Sequence, residues 1–441
     1  MPTRFRPYAP DQDLLLVPSL RDWLPESHLA YFISDVVEEL DLTVFYEPYE
    51  GDGRRKAPYE PRMMLKVLIY AYATGVFSSR KIARKLEEDV ALRVLGAGNF
   101  PKHRTICDFR KRHLEDFKSM FVQVLQIARE AELIRLGTIA IDGTKVRANA
   151  SKHKAMSYGR MAQEERRLEQ EIAELCAQAR ALDDEEDRLY GADWRGDEMP
   201  EEMQHRQSRL EKIRKAKARL EKAQCEEDTA RGRHSDDERK SPRGGRRFKR
   251  DFGIPADEEQ SNFTDPESRI MKTADGFQQC YNGQLAVDDE FGLIVGNALT
   301  DNASDQGELM GLVDDIEQTL GVVPEAALAD AGYRSESSLA ALEHRQIDGY
   351  VSVGRECKDC GKIDAETYPA TARMAEKLGR ADGKARYAER KGIVEPVNGW
   401  IKHVLGFRRF SLRGLKAVRG EWDLVCLAMN LRRMQPLMVF E

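Results

Sequence analysis

Two short stretches decide how the chain folds: Leu136-Gly137-Thr138-Ile139-Ala140-Ile141-Asp142-Gly143-Thr144 and Ala326-Ala327-Leu328-Ala329-Asp330-Ala331-Gly332-Tyr333. Each is a brief apolar run that reads as a buried strand leading into an aspartate with a glycine close behind it. A strand that runs into Asp-Gly is common in ordinary turns and says little alone. Two of them say more. If the strands are neighbours, both carboxylates project near one end of a sheet, where α/β folds place their sites.

Working outward from the second stretch, residues 284–287 and 293–298 read as a hairpin around Asp288-Asp289-Glu290. A helix follows over about 305–320, and Ser335 is placed to cap another that runs to about residue 344. Residues 349–353 are a fifth strand, and the tail from 386 to 434 is largely helical. This order predicts an α/β fold with a mixed five-stranded core and an all-α N-terminal domain.

Upstream of the first stretch the pattern is helical. Residues 1–60 read as an irregular lead-in with one or two short helices, one carrying Leu29, Phe32, Ile33 and Val36. Met63, Met64, Val67, Leu68 and Ala71 repeat at helical spacing, and Gly75 ends that run. Ser78 or Ser79 is expected to cap a short basic helix over 80–86. A third helix starts after Pro101 and carries Ile106, Phe109, Leu114 and Phe117. A helix-turn-helix and a plain helical bundle fit this outline equally well.

Between the two decisive stretches lies a long insertion. Residues 160–228 alternate charged positions with an apolar seam (Met161, Leu168, Ile172, Leu175, then Leu210, Ile213, Leu220), broken at 191–200. That pattern predicts an antiparallel helical hairpin or a pair of coiled-coil segments, able to dimerise the protein or to brace it. A polar stretch at 229–261 follows, with seven basic and no acidic residues over 239–250, and reads as a flexible basic arm. The expected organisation is therefore a helical domain at 1–130, a first part of the core at 131–159, the hairpin at 160–228, the arm at 229–261, and the rest of the core with C-terminal helices at 262–441.

The 441 residues carry 70 Lys+Arg against 76 Asp+Glu, a net charge of −6 that at first disfavours a polyanionic partner. The sum hides segregation. Residues 160–228 hold 20 acidic and 14 basic side chains, which is the whole deficit. Elsewhere, residues 61–118 carry 13 basic against 6 acidic, and residues 371–420 carry 13 against 4. Nucleic acid therefore stays open as a partner. No apolar run reaches the roughly 18 residues a membrane helix needs, and no signal-peptide core stands at the N-terminus. Seven scattered cysteines fit a reducing cytosol better than a disulfide framework. Cys357 and Cys360 form the one close pair, and with no second pair nearby they read as two loop thiols.

A third carboxylate, Glu395, falls in a predicted helix, with Lys402 two turns later on the same face. Carboxylates grouped at a strand end bind hard divalent cations through oxygen, and Mg²⁺ in particular bridges such sites to phosphate oxygens. Two metals about 4 Å apart can activate a water and stabilise a leaving oxygen.

In its motifs the chain resembles a bacterial insertion-sequence transposase of the DDE type with an RNase H-like core. The N-terminal part carries Tyr59-Glu60-Pro61-Arg62-Met63-Met64-Leu65-Lys66-Val67-Leu68, Gly75-Val76-Phe77-Ser78-Ser79-Arg80-Lys81-Ile82 and Pro101-Lys102-His103-Arg104-Thr105-Ile106. The core carries Ile141-Asp142-Gly143-Thr144-Lys145, Thr264-Asp265-Pro266-Glu267-Ser268-Arg269-Ile270-Met271-Lys272, Tyr281-Asn282-Gly283-Gln284, Ala329-Asp330-Ala331-Gly332-Tyr333 and Ile393-Val394-Glu395. The resemblance implies that Asp142, Asp330 and Glu395 form a metal-binding triad for Mg²⁺, with Mn²⁺ able to substitute, and that Lys402 assists catalysis. It implies double-stranded DNA as partner (terminal inverted repeats and target), no membrane, a homodimer or higher assembly on DNA, and a bacterial cytoplasm with the nucleoid as location.

The expected DNA contacts are Arg80, Lys81 and Arg84 on the basic helix, Lys102 and Arg104, and Arg246, Arg247 and Lys249 on the arm. Tyr387, Arg390, Lys391, Arg408 and Arg409, around the last carboxylate, complete the set. Two departures stand out. Tyr387 and Arg390 are one residue off the family's usual spacing to Glu395, which leaves Lys391 as a possible substitute cation. The long insertion lies in the 187 residues between Asp142 and Asp330, not in the 64 between Asp330 and Glu395. The alternatives are a structure-selective nuclease without strand transfer, or a non-catalytic DNA-binding regulator descended from a transposase. Trp400 and Trp422 read as packing residues, His403 as a surface or DNA-facing residue, and Asp305 most simply as a helix N-cap, with a secondary acidic residue of the site as the alternative.

Overall fold

A computed structural model describes residues 19–49, 57–190, 201–234, 250–354 and 363–438, with backbone only at 179–190 and 201–202. Of the expected arm at 229–261, residues 235–249, with Arg246, Arg247 and Lys249, lie outside the described residues, as do Cys357 and Cys360; its two ends are the close of a helix at Ala230 and the start of a strand at Gln260.

The N-terminal helices are α1 (Leu29–Glu39), α2 (Thr43–Tyr46), α3 (Pro61–Ala73), α4 (Ser79–Glu88), α5 (Val90–Leu95), α6 (His103–Arg112) and α7 (Asp116–Glu130). Helix α3 starts where Glu60 accepts from the Met63 N–H and Pro61 occupies the first turn, which needs no N–H donor. It ends at Gly75, whose φ of +77° glycine tolerates best. The expected serine cap of α4 does not form: Ser78 is the N-cap residue by position, without a side-chain hydrogen bond. Sequence periodicity also passed over α5, and joined α6 to α7 across a break at residues 113–115. Helix α4 packs on α5 and α6.

The sheet is built from β1 (Thr138–Arg147), β4 (Arg269–Thr273), β5 (Gly276–Asp288), β6 (Ile294–Thr300), β7 (Ala326–Ala329) and β8 (Asp348–Val351). Its order is β4-β5-β1-β7-β8, with β6 also on β5. Strands β1, β7 and β8 run parallel, while β5 pairs antiparallel with β1 on one edge and with β4 and β6 on the other. The mixed α/β layer stands, with one strand more than the five expected. Strand β4 (Arg269-Ile270-Met271-Lys272-Thr273) and the start of β5 (Gly276-Phe277-Gln278-Gln279) mix polar and apolar residues, so no apolar run marked them.

Two short strands, β2 (Ala155–Ser157) and β3 (Gln260–Asn262), pair antiparallel where the insertion leaves and rejoins the core. Between them α8 (Tyr158–Tyr190) and α9 (Glu201–Ala230) pack on each other as a hairpin. Met161, Leu168, Leu210, Ile213, Ala216 and Leu220 bury its seam, each large apolar side chain contributing about 1.5–3 kcal/mol. Acidic residues of α8 pair with basic residues of α9, as in Arg206–Glu171 and Arg214–Glu165 at 2.9 and 3.1 Å.

The core is completed by α10 (Glu308–Leu320), α11 (Glu336–His344), α12 (Pro369–Gly379), α13 (Ala381–Gly399) and α14 (Leu415–Met438). Ser335 caps α11 as expected, accepting from the Ser338 N–H at 3.0 Å. Helix α14 is buried for most of its length and packs against α3, α7 and β6. One apolar core therefore runs through both the helical part and the sheet. No helix among the described residues is long and apolar enough to cross a membrane.

Candidate active site

Asp142 does not end its strand, contrary to the sequence expectation. Strand β1 continues to Arg147 because β5 keeps pairing with it there, and Asp142 lies opposite Leu285. It is the parallel neighbour β7 that stops. The register Ile141↔Ala329 is the last pair, so Asp142 and Asp330 follow it side by side where β7 gives way to a short 3₁₀ turn, Ala331–Tyr333. Asp330 holds that turn in place, its Oδ1 accepting from the Gly332 N–H at 2.8 Å.

Helix α13 lies across this point and packs on β1 and β5. Asn398 Nδ2 donates to Asp142 Oδ2 at 3.1 Å, and the Arg390 guanidinium stands 3.7 Å from Oδ1. Arg390 is almost fully buried and lies over the Tyr387 ring at 5.9 Å, so the cation facing Asp142 is Arg390, while Lys391 is exposed. Glu395 is exposed one turn before Asn398 and has no ion-pair or hydrogen-bond partner among the described residues. After α13 the chain makes a π-helical turn, Trp400–Val404, in which the Leu405 N–H reaches the Trp400 carbonyl at 2.8 Å. Such turns recur at functional sites, and this one carries Lys402.

Burial pushes the Asp142 carboxyl up to about 6; Arg390 opposes that rise, while the charges of Asp330 and Asp305 add to it. The Lys402 ammonium is lowered chiefly by burial, against the pull of Asp142. A half-buried acid on β1 and a half-buried base on the π turn thus lie within electrostatic reach of each other.

Asp305 is not the N-cap the sequence suggested. That position belongs to Gly307, with φ +96° and no side-chain cap bond. Asp305 turns instead toward the sheet, where its Oδ1 accepts from Asn282 Nδ2 and Gln284 Nε2, both at 2.7 Å. Sequence reasoning had no signal for Asn398, and for Asp305 it favoured the cap over a place in the site.

The remaining candidates divide by exposure. Arg80, Lys81 and Arg84 are exposed on α4, and Lys102 and Arg104 at the start of α6. Arg408 and Arg409 are exposed beyond the π turn, bonded to the Lys402 carbonyl at 3.0 Å and to Asn149 Oδ1 at 2.7 Å. His403 is at the surface beside Arg408. Trp422 is fully buried, and Trp400 is partly exposed beneath the Arg432 guanidinium.

The site's donors are carboxylate oxygens, the ligands hard divalent cations prefer, and the backbone beside them is bare. A Cβ on Gly143 would lie 2.3 Å from Asp305 Oδ1, and one on Gly332 2.9 Å from Asp330 Oδ1. The residues present therefore fit a divalent metal. Among the described residues no group of three or more acidic, histidine or cysteine side chains is already gathered closely enough to hold a metal ion.

Residues 18–112 match the family described as Transposase domain (DUF772), and residues 251–431 match the family described as Transposase DDE domain. The chain belongs to the DDE transposases. It is an enzyme of DNA transposition, and DDE transposases work with divalent metal ions. The second match takes in Asp330, Glu395 and Lys402, while Asp142 lies ahead of the insertion and outside both matched segments. No curated protein and no solved structure matches the transposase.

Proposed function

We propose that this transposase cuts DNA at the ends of its mobile element and joins the freed 3′ ends to target DNA, with Asp142, Asp330 and Glu395 holding Mg²⁺, or Mn²⁺ in its place. The observation that carries the reading is the in-register placement of Asp142 beside Asp330 under a helix that brings Arg390 and Asn398 to Asp142, with Glu395 one turn before Asn398 and Lys402 in the π turn that follows. Bound metal would supply the polarisation of water and of the leaving oxygen in such a reaction.

The chain's own residues do the positioning. Asn398 and Arg390 fix the Asp142 carboxylate from the helix side. Lys402, partly buried next to it, offers positive charge to a phosphodiester entering the site. Exposed Arg408 and Arg409 continue that charge outward, and Arg80, Lys81, Arg84, Lys102 and Arg104 offer a second basic surface on the N-terminal helices. Water attacks the first phosphodiester and the freed 3′-OH attacks the second, so no covalent enzyme–DNA intermediate is required. Two ends must be held together, which favours a homodimer or larger assembly on DNA.

The test is cleavage and strand transfer on DNA carrying the element's terminal repeats, with wild type beside Asp142→Asn, Asp330→Asn and Glu395→Gln. Each variant is expected to bind end DNA while losing cleavage by at least about a thousandfold. Wild-type cleavage by any one of them removes that residue from the triad. Cleavage without joined products identifies a nuclease, and no cleavage even with Mn²⁺ identifies a DNA-binding regulator.

A further inference from the structure

Asp305 sits in the loop between β6 and α10, and two hydrogen bonds from β5 orient it beside the proposed catalytic pair. Its Oδ1 takes both amide donors from β5, Asn282 and Gln284. The orientation of Gln284 is set from its other end, because its Oε1 accepts the Tyr333 hydroxyl. The amide nitrogen must then face Asp305, and an acceptor with two donors on one oxygen is best served by an ionised carboxylate.

That arrangement leaves Oδ2 with no donor among the described residues, and no lysine or arginine there pairs with Asp305. The free oxygen points where a Cβ on Gly332 would stand, 3.1 Å away, with Asp330 Oδ1 2.9 Å from the same point. The two carboxylate oxygens are therefore no more than about 6 Å apart. On the other side, Gly143 makes room: a Cβ there would come within 2.3 Å of Oδ1. Both glycines follow the catalytic aspartates in sequence, and their missing side chains let a third carboxylate slide between them. Asn282, fully buried, keeps its own Oδ1 without a protein partner, as groups beside a water or hydrated ion do.

We propose that Asp305 is a further cation-binding carboxylate of this site, offering Oδ2 beside Asp142 and Asp330, with Asn282 and Gln284 as its positioning residues. This rests on the triad reading above. Three like charges brought together with a single arginine nearby are tolerated best where a cation is meant to join them.

The experiment measures Mn²⁺ binding to the full-length protein by calorimetry, without DNA, for wild type, D305N and D330N, with metal-free melting temperature as the fold control. D305N suits the purpose because the asparagine oxygen still accepts from Asn282 and Gln284 while the free anionic oxygen is gone. We expect D305N to weaken Mn²⁺ binding at least tenfold, D330N to do the same, and neither to lower the metal-free melting temperature. Binding by D305N within twofold of wild type, with D330N impaired, would make Asp305 a brace for β5 and overturn the proposal while sparing the triad. Wild-type binding by D330N as well would overturn both. Should D305N fail to fold, Gly143→Ala displaces the carboxylate without changing charge; it is expected to weaken Mn²⁺ binding, and unchanged binding would again overturn the proposal.

Discussion

Asp142 and Glu421 are both acidic side chains withdrawn from solvent, and they are treated in opposite ways. Glu421, on α14, is fully buried and saturated with donors. It accepts from the Ser411 N–H at 2.9 Å, the Leu412 N–H at 3.0 Å, the Ser411 hydroxyl and the Tyr72 hydroxyl at 3.1 Å, with Arg110 at 3.8 Å. Asp142 has two amide donors, the Asn398 side chain and the Gly143 N–H, with an arginine at 3.7 Å and two further carboxylates close by. The first arrangement is a joint: it ties α14 to α3 and α6, and its charge has nowhere else to go. The second keeps unspent acceptor capacity among like charges, which an incoming cation would relieve. On the proposed reading, saturation rather than burial separates a structural carboxylate from a working one in this molecule.

The comparison can be broken most severely at the joint. Glu421→Ala leaves Arg110 buried without its anion, and unfolding in urea should show a loss of about 3–5 kcal/mol. A loss under about 1 kcal/mol would mean the network is not structural. The same kind of change at the site should do the reverse. Asp142→Asn removes a carboxylate whose ionisation burial opposes, so the metal-free melting temperature is expected to hold or rise by a few degrees while cleavage disappears. A large drop in melting temperature would place Asp142 with Glu421.

A third buried acid sharpens the contrast through pH. Asp423 is pushed up to about 7, first by burial, with Lys118 and Arg419 opposing. A group whose folded pKa is raised favours the folded state while protonated, and that contribution is lost as pH rises through about 7. Thermal stability should therefore fall from about pH 4 to about pH 7 and level off above that, and Asp423→Asn should flatten that part of the profile. An identical slope in the variant would assign the dependence to another group. The smallest effect belongs to the hairpin, where charges meet at the surface. Arg214 is half exposed and bridges Glu165 and Glu169, so Arg214→Ala should cost under about 1 kcal/mol in denaturant and fade in high salt.

Much of the architecture was legible because it depends on local pattern. The apolar runs before Asp142 and Asp330, the Ser335 cap and the seam of the hairpin all announce themselves within a few residues, and each is where the sequence placed it. The elements that escaped lack such a signal. Strand β4 is an edge strand that pairs only with the start of β5, which carries no apolar run of its own, and α5 is only six residues long. Asp305 read as a cap because Ser304-Asp305-Gln306-Gly307-Glu308 looks like the start of any helix.

By itself, then, the amino-acid sequence determined the element order, the insertion after the first core strand, the segregation of charge, and which aspartates lead the list of candidates. Only the tertiary structure decided that Asp142 stands mid-strand, that Arg390 and not Lys391 faces it, and that Asn398 and Asp305 close in from a helix and a loop. The division has a physical cause. Strand and helix patterns come from periodic burial over neighbouring residues, whereas a charged site joins groups 256 residues apart, as Asp142 and Asn398 are, through contacts that leave no local pattern.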